Sequence, residues 1–275
     1  MLVWLGQSDD IKTLGGKSAQ LSRLFTRYSI PPGFCLSVAA FEQWVELGCP
    51  NQLPAFWQTA VMQAYQQLAE TTQLAEPPVA VRSSAVDEDS QTASFAGQYE
   101  SYLNVIGGEA LSAAILACWH SAFAERVKVY RQGSHAPLAV LVQLMVSADM
   151  ALVAFSRNPI NQQAEVVINA TWGLGQSLVD GSTTPDTYIV RPIDSAILQR
   201  QIGAKNNMTV RLGTGVKQVP TPRPMRSLAV LSEAQIKEVA QLAIQLETDM
   251  GWPIDLEAAY YHNKLYLLQC RPITT

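Results

Sequence analysis

Charged residues are scarce in this chain of 275 residues, and their two signs nearly balance. Asp, Glu, Lys and Arg make up 15% of the sequence, the formal net charge is −4, and 48% of the residues are hydrophobic. Since disordered chains combine low hydrophobicity with high net charge, this composition predicts one large folded domain or two lobes. Nucleic-acid-binding proteins usually have an excess of basic residues, and this sequence has no such excess.

Cysteine is equally sparse, and its spacing fits neither a metal site nor a disulfide framework. The four cysteines lie far apart and form no Cys-x-x-Cys pair: Cys35, Cys49, Cys118 and Cys270. Structural zinc sites and disulfide-rich domains need recognisable cysteine spacings. The sequence therefore predicts a reduced, cytoplasmic protein.

Long hydrophobic runs are also missing. The first six residues are mostly apolar, but no basic segment accompanies them, which argues against a secretory signal peptide. The most apolar window, residues 136–155, contains Gln143 and Asp149. This window predicts buried strands and no membrane-spanning helix, so we expect no membrane partner.

Helical and strand patterns are interspersed along the chain. Apolar spacing and a Ser-x-x-Gln capping box at Ser232 predict helices at residues 17–27, 40–47, 55–70, 110–131 and 233–250. Short apolar runs predict strands at residues 2–5, 35–38, 79–84, 99–105, 140–146, 151–155, 166–168 and 264–269. This order predicts an α/β or α+β class.

Residues 195–232 contain basic side chains and no acidic one. The favoured interpretation is a solvated connection rich in glycine and proline. A second is a positive rim that attracts a phosphorylated ligand or an acidic partner. Nucleic acid is the weakest alternative because the stretch has no aromatic side chain for base stacking.

Three short segments carry residues suited to binding a nucleotide. In the first, Gly15, Gly16, Lys17 and Ser18 resemble the end of a Walker A loop, but Ile11 stands where that motif needs glycine. A helix that opens after two glycines still offers free N–H groups and a lysine charge to a phosphate. The alternative, which these residues alone favour, is a solvated lysine at the start of a surface helix.

In the second segment, Arg82 stands at the end of a predicted strand, and hydroxyl residues and a small-residue turn follow it. Arg82 can hold phosphate oxygens with two hydrogen bonds, and the loop can add N–H donors. An acidic loop capped by serines is an equally good interpretation.

The third segment is the most specific. Asp255 and Glu257 alternate along a predicted strand and so project from one face, as do Gln269 and Arg271 on the next strand. Two carboxylates and an amide oxygen suit a Mg²⁺ ion that bridges nucleotide phosphates, and Arg271 can hold the terminal phosphate. The alternative is a charged sheet face with an exposed ion pair.

Taken together, the ordered motifs resemble the N-terminal nucleotide-binding domain of pyruvate phosphate dikinase, phosphoenolpyruvate synthase and rifampicin phosphotransferase. The resemblance covers essentially the whole chain. Besides the three segments above, it rests on residues 30–34 (Ile-Pro-Pro-Gly-Phe), 94–98 (Ser-Phe-Ala-Gly-Gln), 140–146 (Val-Leu-Val-Gln-Leu-Met-Val), 172–175 (Trp-Gly-Leu-Gly), 185–186 (Pro-Asp) and 267–274 (Leu-Leu-Gln-Cys-Arg-Pro-Ile-Thr).

The resemblance implies an ATP-grasp fold, in which two lobes clasp one nucleotide; here the lobes would span about residues 1–138 and 139–275 of a single domain. It also implies an enzyme of the kinase or dikinase type that cleaves ATP to AMP. Such enzymes transfer the β-phosphoryl or pyrophosphoryl group to a histidine on a separate domain. The implied cofactors are ATP and Mg²⁺, and the implied partner is that histidine carrier.

By position, the resemblance assigns a role to each site residue. Lys17, Arg82 and Arg271 would bind phosphates as the catalytic cations. The loop that covers the phosphates would contain Gly97, Gln98 and Ser101. Gln143 and Met145 would lie at the adenine hinge. Glu257 and Gln269 would hold Mg²⁺, with Asp255 supporting them.

The sequence departs from the family pattern at several points. Gln176 replaces a usual glutamate, and Leu152 replaces a usual glycine. No carrier segment or pyruvate-binding barrel is recognisable, and His135 imitates the carrier histidine only superficially. An alternative function is therefore a catalytically incomplete subunit that senses nucleotide or regulates a partner. A weaker third hypothesis is an interaction module that uses residues 195–232.

Overall fold

The fold divides into two units, each built on an antiparallel sheet. The computed structural model describes residues 1–86, 89–90, 93–94, 101–123 and 137–273. Unit 1 comprises Met1–Met145 and Gly213–Gly215, and unit 2 comprises Val146–Leu212 and Val216–Thr275. Because each unit combines a sheet with helices, the predicted α+β class is confirmed.

Unit 1 contains a five-stranded sheet in which β7 is central. Its strands, in spatial order, are β1 (Leu2–Trp4), β2 (Gly33–Leu36), β7 (Leu138–Leu144), β3 (Val79–Ala85) and β6 (Ser101–Val105). The two-residue strands β4 (Asp89–Ser90) and β5 (Ala93–Ser94) pair with each other. The helices are α1 (Ile11–Leu24), α2 (Val38–Glu46), α3 (Ala55–Thr72) and α4 (Gly108–Ser121).

Helices cover both faces of this sheet. On one face, Val81 and Val142 join a buried cluster with side chains of α2, α3 and α4, including Trp44 and Trp119. On the other face, α1 packs through a second cluster that contains Leu14, Ala19, Cys35 and Ala139. This two-sided cover explains why β3 and β7 are buried along nearly their whole length.

Unit 2 contains a six-stranded sheet. Its strands, in spatial order, are β11 (Ile197–Gln201), β10 (Asp186–Val190), β9 (Val166–Trp172), β8 (Met150–Phe155), β14 (Ile254–Tyr261) and β15 (Lys264–Pro272). A separate hairpin is formed by β12 (Asn207–Arg211) and β13 (Val216–Pro220). The helices are α5 (Gln176–Val179), α6 (Arg223–Arg226) and α7 (Glu233–Met250).

Helix α7 covers one face of the unit 2 sheet. It begins as predicted, because the Ser232 hydroxyl accepts from the backbone of Gln235 and the Gln235 side chain accepts from the backbone of Ser232. Its apolar side, with Ile236 and Val239, is fully buried and contacts β8, β9, β10 and β14. The opposite face of the sheet carries the polar pairs of β14 and β15.

Three predicted elements differ from the structure. The helix predicted at residues 17–27 begins at Ile11 and is broken at Gly15, because that glycine has φ +71°. Helix α4 ends at Ser121, and the end of the prediction lies outside the described residues. The supposed connection at residues 195–232 holds three strands and a short helix. The sequence did not predict these strands because most of their positions are exposed, so their apolar and polar residues do not alternate clearly.

No helix in the described ranges combines the length and apolar character that a membrane crossing requires.

Candidate functional site

In unit 1, the break at Gly15 brings α1 against strand β3. A Cβ atom at Gly15 would lie 2.0 Å from the carbonyl oxygen of Ser84, so only glycine allows this approach. Just after the break, the backbone N–H of Ser18 donates to the Ser84 hydroxyl at 3.0 Å. The start of the second helical segment is thereby fixed to the strand that carries Arg82.

Lys17 lies in this contact between α1 and β3. Its side chain is only 8% exposed, and its ammonium group donates to the carbonyl oxygen of Ser83 at 3.4 Å. The alternative of a solvated surface lysine is therefore wrong. A buried ammonium group needs oxygen partners, and the carbonyl oxygen of Ser83 is one of them.

Arg82 and Ser101 occupy facing positions on β3 and β6. Residues paired across two strands project from the same face, and the same row continues through Leu141 to Cys35, which packs with α1. The sheet thus places Arg82 and Ser101 on the face that carries α1 and Lys17. The predicted loop residues Gly97 and Gln98 lie outside the described residues.

The two residues predicted at the adenine hinge lie at the end of β7. Gln143 is 1% exposed, and its amide donates to the carbonyl oxygen of Pro31 at 3.1 Å. Met145 hydrogen bonds through its backbone N–H to Pro78 at 2.9 Å, and its sulfur accepts from the backbone of Asn104 at 2.9 Å. These contacts hold both residues in place within unit 1.

In unit 2, Asp255 and Arg271 form an ion pair across β14 and β15. The guanidinium Nε and Nη2 atoms lie 2.8 and 2.7 Å from the same carboxylate oxygen of Asp255. Burial raises the pKa of the Asp255 carboxyl; Arg271 opposes that rise, and the charge of Glu257 adds to it. The predicted alternation of these four residues on paired strands is confirmed by the register, which matches Asp255 with Arg271 and Glu257 with Gln269.

Glu257 and Gln269 form the second cross-strand pair. Neither side chain has a hydrogen-bond partner in the described part of the chain, although Gln269 is only 6% exposed. A bulge directly after this pair inserts Leu268 into β15. The bulge lets the apolar Leu267 stay under α7 while Gln269 keeps to the polar face, a usual role of bulges beside binding sites.

The donor set of this pair fits Mg²⁺ shared with phosphates. Mg²⁺ takes one or two carboxylates and completes its shell with water and phosphate oxygens. One free carboxylate, one free amide and the carboxylate of Asp255 match that requirement. No cluster of three or more His, Cys, Asp or Glu residues that could cage a metal occurs within the described ranges.

The sequence patterns did not reveal a buried ion pair at the start of β10. Lys205 and Asp186 are both fully buried and in direct contact. Asp186 also accepts from the backbone of Gly203 at 2.8 Å and of Val230 at 2.7 Å, and from the hydroxyl of Tyr188 at 3.0 Å. The interpretation of residues 195–232 as solvated is thus wrong at Lys205. The Pro-Asp motif was the one sequence signal of this network.

Of the two substituted family positions, Leu152 lies on the face away from the polar pairs. Leu152 pairs with Ala170 and Ala258 and is 1% exposed, so it packs on the side covered by α7. Gln176 is exposed at the start of α5. Just before it, Gly173 approaches the backbone of β12, where its Cβ would lie 2.4 Å from the carbonyl oxygen of Thr209.

Comparison with known proteins gives one consistent set of relatives. The family described as "pyruvate phosphate dikinase, AMP/ATP-binding domain" matches residues 45–275. A probable phosphoenolpyruvate synthase of Methanocaldococcus jannaschii is 34% identical over 100% of this chain and 27% of its own length. A prodigiosin-synthesizing transferase of Serratia marcescens is 36% identical over 95% of this chain and 32% of its own length.

An uncharacterized phosphotransferase of Bacillus subtilis is 40% identical over 72% of this chain and 24% of its own length. The chain therefore spans about a quarter to a third of the length of these relatives.

Proposed function

Because the chain belongs to the pyruvate phosphate dikinase AMP/ATP-binding domain family, we propose that it binds ATP with Mg²⁺ and cleaves it to AMP. Either the β,γ-pyrophosphoryl group passes to a histidine on a separate domain or polypeptide, or the β-phosphoryl group passes to it and water takes the γ-phosphoryl group as inorganic phosphate. The observation that carries the proposal is the pair of cross-strand contacts in unit 2, where Asp255 faces Arg271 and Glu257 faces Gln269.

In this proposal, the residues of unit 2 hold the metal and the terminal phosphates. Glu257 and Gln269 provide oxygen ligands for Mg²⁺, which neutralises phosphate charge when bound. Asp255 keeps the guanidinium of Arg271 on the same face of the sheet, where it can bind a phosphate oxygen. Phosphoryl transfer depends mainly on such positioning and charge neutralisation.

The residues of unit 1 supply further phosphate ligands. Lys17 and Arg82 carry the positive charge, and Ser101 adds a hydroxyl beside Arg82. Gln143 and Met145 are assigned to the adenine, and Gly97 and Gln98 to the loop that covers the phosphates. The histidine that accepts the phosphoryl group is assigned to a partner domain, by analogy with the longer relatives.

The direct test is calorimetric titration of ATP in the presence of Mg²⁺. We expect binding by the wild type and at least roughly tenfold weaker binding by Lys17→Ala and by Arg271→Ala, since each substitution removes a charged hydrogen-bond donor. Lys12→Ala is the matched control, because Lys12 is exposed on the same helix as Lys17. Wild-type binding no tighter than that of the variants would refute the proposal.

Measuring AMP formation by the wild type distinguishes catalysis from nucleotide sensing. We expect AMP to form when a phosphohistidine carrier domain from a relative is added and not without it. ATP binding with no AMP under either condition would favour the regulatory alternative. The position of Leu152 under α7 weakens one of the three reasons for that alternative, because the substitution leaves the polar face unchanged.

A further inference from the structure

A row of paired residues crosses the unit 2 sheet on the face opposite α7. It runs from Gln269 and Glu257 through Val153 to Asn169, then to Thr187 on β10 and Gln201 on β11. Directly paired residues on neighbouring strands project from the same face of a sheet. Asn169 and Thr187 thus share a face with the pair assigned to Mg²⁺.

Asn169 has a defined orientation in this row. The hydroxyl of Thr187 donates to its Oδ1 atom at 2.9 Å. This bond occupies the carbonyl end of the amide and leaves the Nδ2 group, whose two N–H donors have no acceptor in the described part of the chain. Asparagine is depleted in strands, so an oriented, half-exposed asparagine in the middle of β9 calls for a reason beyond the sheet itself.

The N–H donors of Asn169 suit an anionic ligand, and its surroundings leave room for one. Only the apolar Val153 separates it from Glu257 in the row, and two strand spacings put these two positions about 10 Å apart. The nearest carboxylate along β10, that of Asp186, belongs to the other face and is neutralised by Lys205. An amide that presents N–H donors suits an anionic oxygen and cannot serve as a metal ligand.

We propose that Asn169 is an additional ligand of the ATP phosphates beyond the α-phosphate, and that Thr187 is the residue that positions it. This inference rests on the proposed function. Mg²⁺ bridges the terminal phosphates in phosphotransferases. A phosphate chain held by Glu257 and Gln269 through the ion would lie beside this row, and the amide of Asn169 would donate to it.

The first experiment compares Asn169→Asp with the wild type. The substitution keeps the size and the oxygen that accepts from Thr187, but it replaces the N–H donors by a negatively charged oxygen. With Mg²⁺ present, we expect at least roughly tenfold weaker binding of ATP, by the usual strength of a hydrogen bond to a charged group. Binding of AMP, which lacks the terminal phosphates, should stay within about twofold.

The second experiment tests the positioning role of Thr187. Thr187→Val removes the hydroxyl at nearly constant shape, and Thr187→Ser retains it. We expect Thr187→Val to bind ATP severalfold more weakly than the wild type. Thr187→Ser, which retains the hydroxyl, should bind it nearly as well as the wild type. In the Asn169→Asp background, Thr187→Val should have little further effect, because the donor that it positions is already gone.

The outcomes separate the inference from the proposed function. If the wild type binds ATP and folded Asn169→Asp binds it equally well, the inference fails and the proposed function stands. If both ATP and AMP binding weaken equally, the contact is not with the terminal phosphates, which also overturns the inference. If the wild type binds no ATP, both fail. Should Asn169→Asp not fold, as judged by thermal denaturation, the Val and Ser variants of Thr187 decide.

Discussion

Gly15 controls how closely helix α1 approaches strand β3. Its backbone has φ +71°, and any side chain would collide with the Ser84 carbonyl. Both the left-handed conformation and the lack of space therefore require glycine. The sequence showed two adjacent glycines before Lys17, but it could not show which of them broke the helix.

We expect Gly15→Ala to destabilise the protein by more than about 2 kcal/mol, because the cost of the left-handed backbone adds to that of the steric overlap. Gly48→Ala is the matched control. Gly48 also has a positive φ, of +79°, but no atom lies within 4 Å of the point that a Cβ would occupy, so we expect a loss of only about 1 kcal/mol. Urea denaturation of both variants measures the difference. Equal losses of unfolding free energy in the two variants would show that the steric overlap with Ser84 does not contribute to the destabilisation.

At the scale of elements, the most consequential feature of unit 2 is how β10 is anchored. Its first residue, Asp186, binds Lys205 and the backbone of Gly203 and Val230. These contacts tie the strand to segments 17 and 44 residues later in the chain. Since Thr187 follows Asp186 directly, the network also fixes the strand that orients Asn169.

We expect Lys205→Met to destabilise the protein by about 3–5 kcal/mol, because it leaves the buried carboxylate of Asp186 without its counter-charge. Lys217→Met, on the exposed side of β13, is the control and should change stability by less than about 0.5 kcal/mol. Denaturant unfolding of the two variants gives both values. A small loss in Lys205→Met would mean that hydrogen bonds alone satisfy Asp186.

At the scale of the whole molecule, three of the four thiols are enclosed in the two units. Cys35, Cys118 and Cys270 are buried, and Cys49 is partly exposed. Burial raises the pKa of the Cys35 thiol to about 12, so that little thiolate is present at neutral pH. The wide spacing of the cysteines in the sequence is consistent with this use as core residues.

With a chromogenic disulfide reagent at pH 8, we therefore expect one thiol to react rapidly in the native protein and four in denaturant. Cys49→Ser should abolish the rapid reaction and leave three thiols in denaturant. Rapid reaction of a second thiol in the native wild type would contradict the burial described above. Above about pH 9, the raised pKa of Cys35 predicts a progressive loss of stability, because the unfolded state releases its proton first.

Much of this fold could be predicted from local patterns. The capping box at Ser232 and the pairing of Asp255 and Glu257 with Gln269 and Arg271 all agree with the structure. Each depends on residues close together in the chain or on a single hairpin. The mixed fold class and the family resemblance likewise follow from ordered local motifs.

The remaining features were decided by tertiary structure. Lys205 belongs to a stretch without acidic residues, so its partner had to come from another element, and only the packing of β10 identifies Asp186. Asn169 and Thr187 meet because β9 and β10 pair in one particular register. Sequence by itself determined the local helices, the strands and the hairpin that pairs β14 with β15, and it predicted which of these segments carry a nucleotide site. The tertiary structure decided which distant polar groups pair, because pairing depends on strand order, register and burial, which a local pattern does not encode.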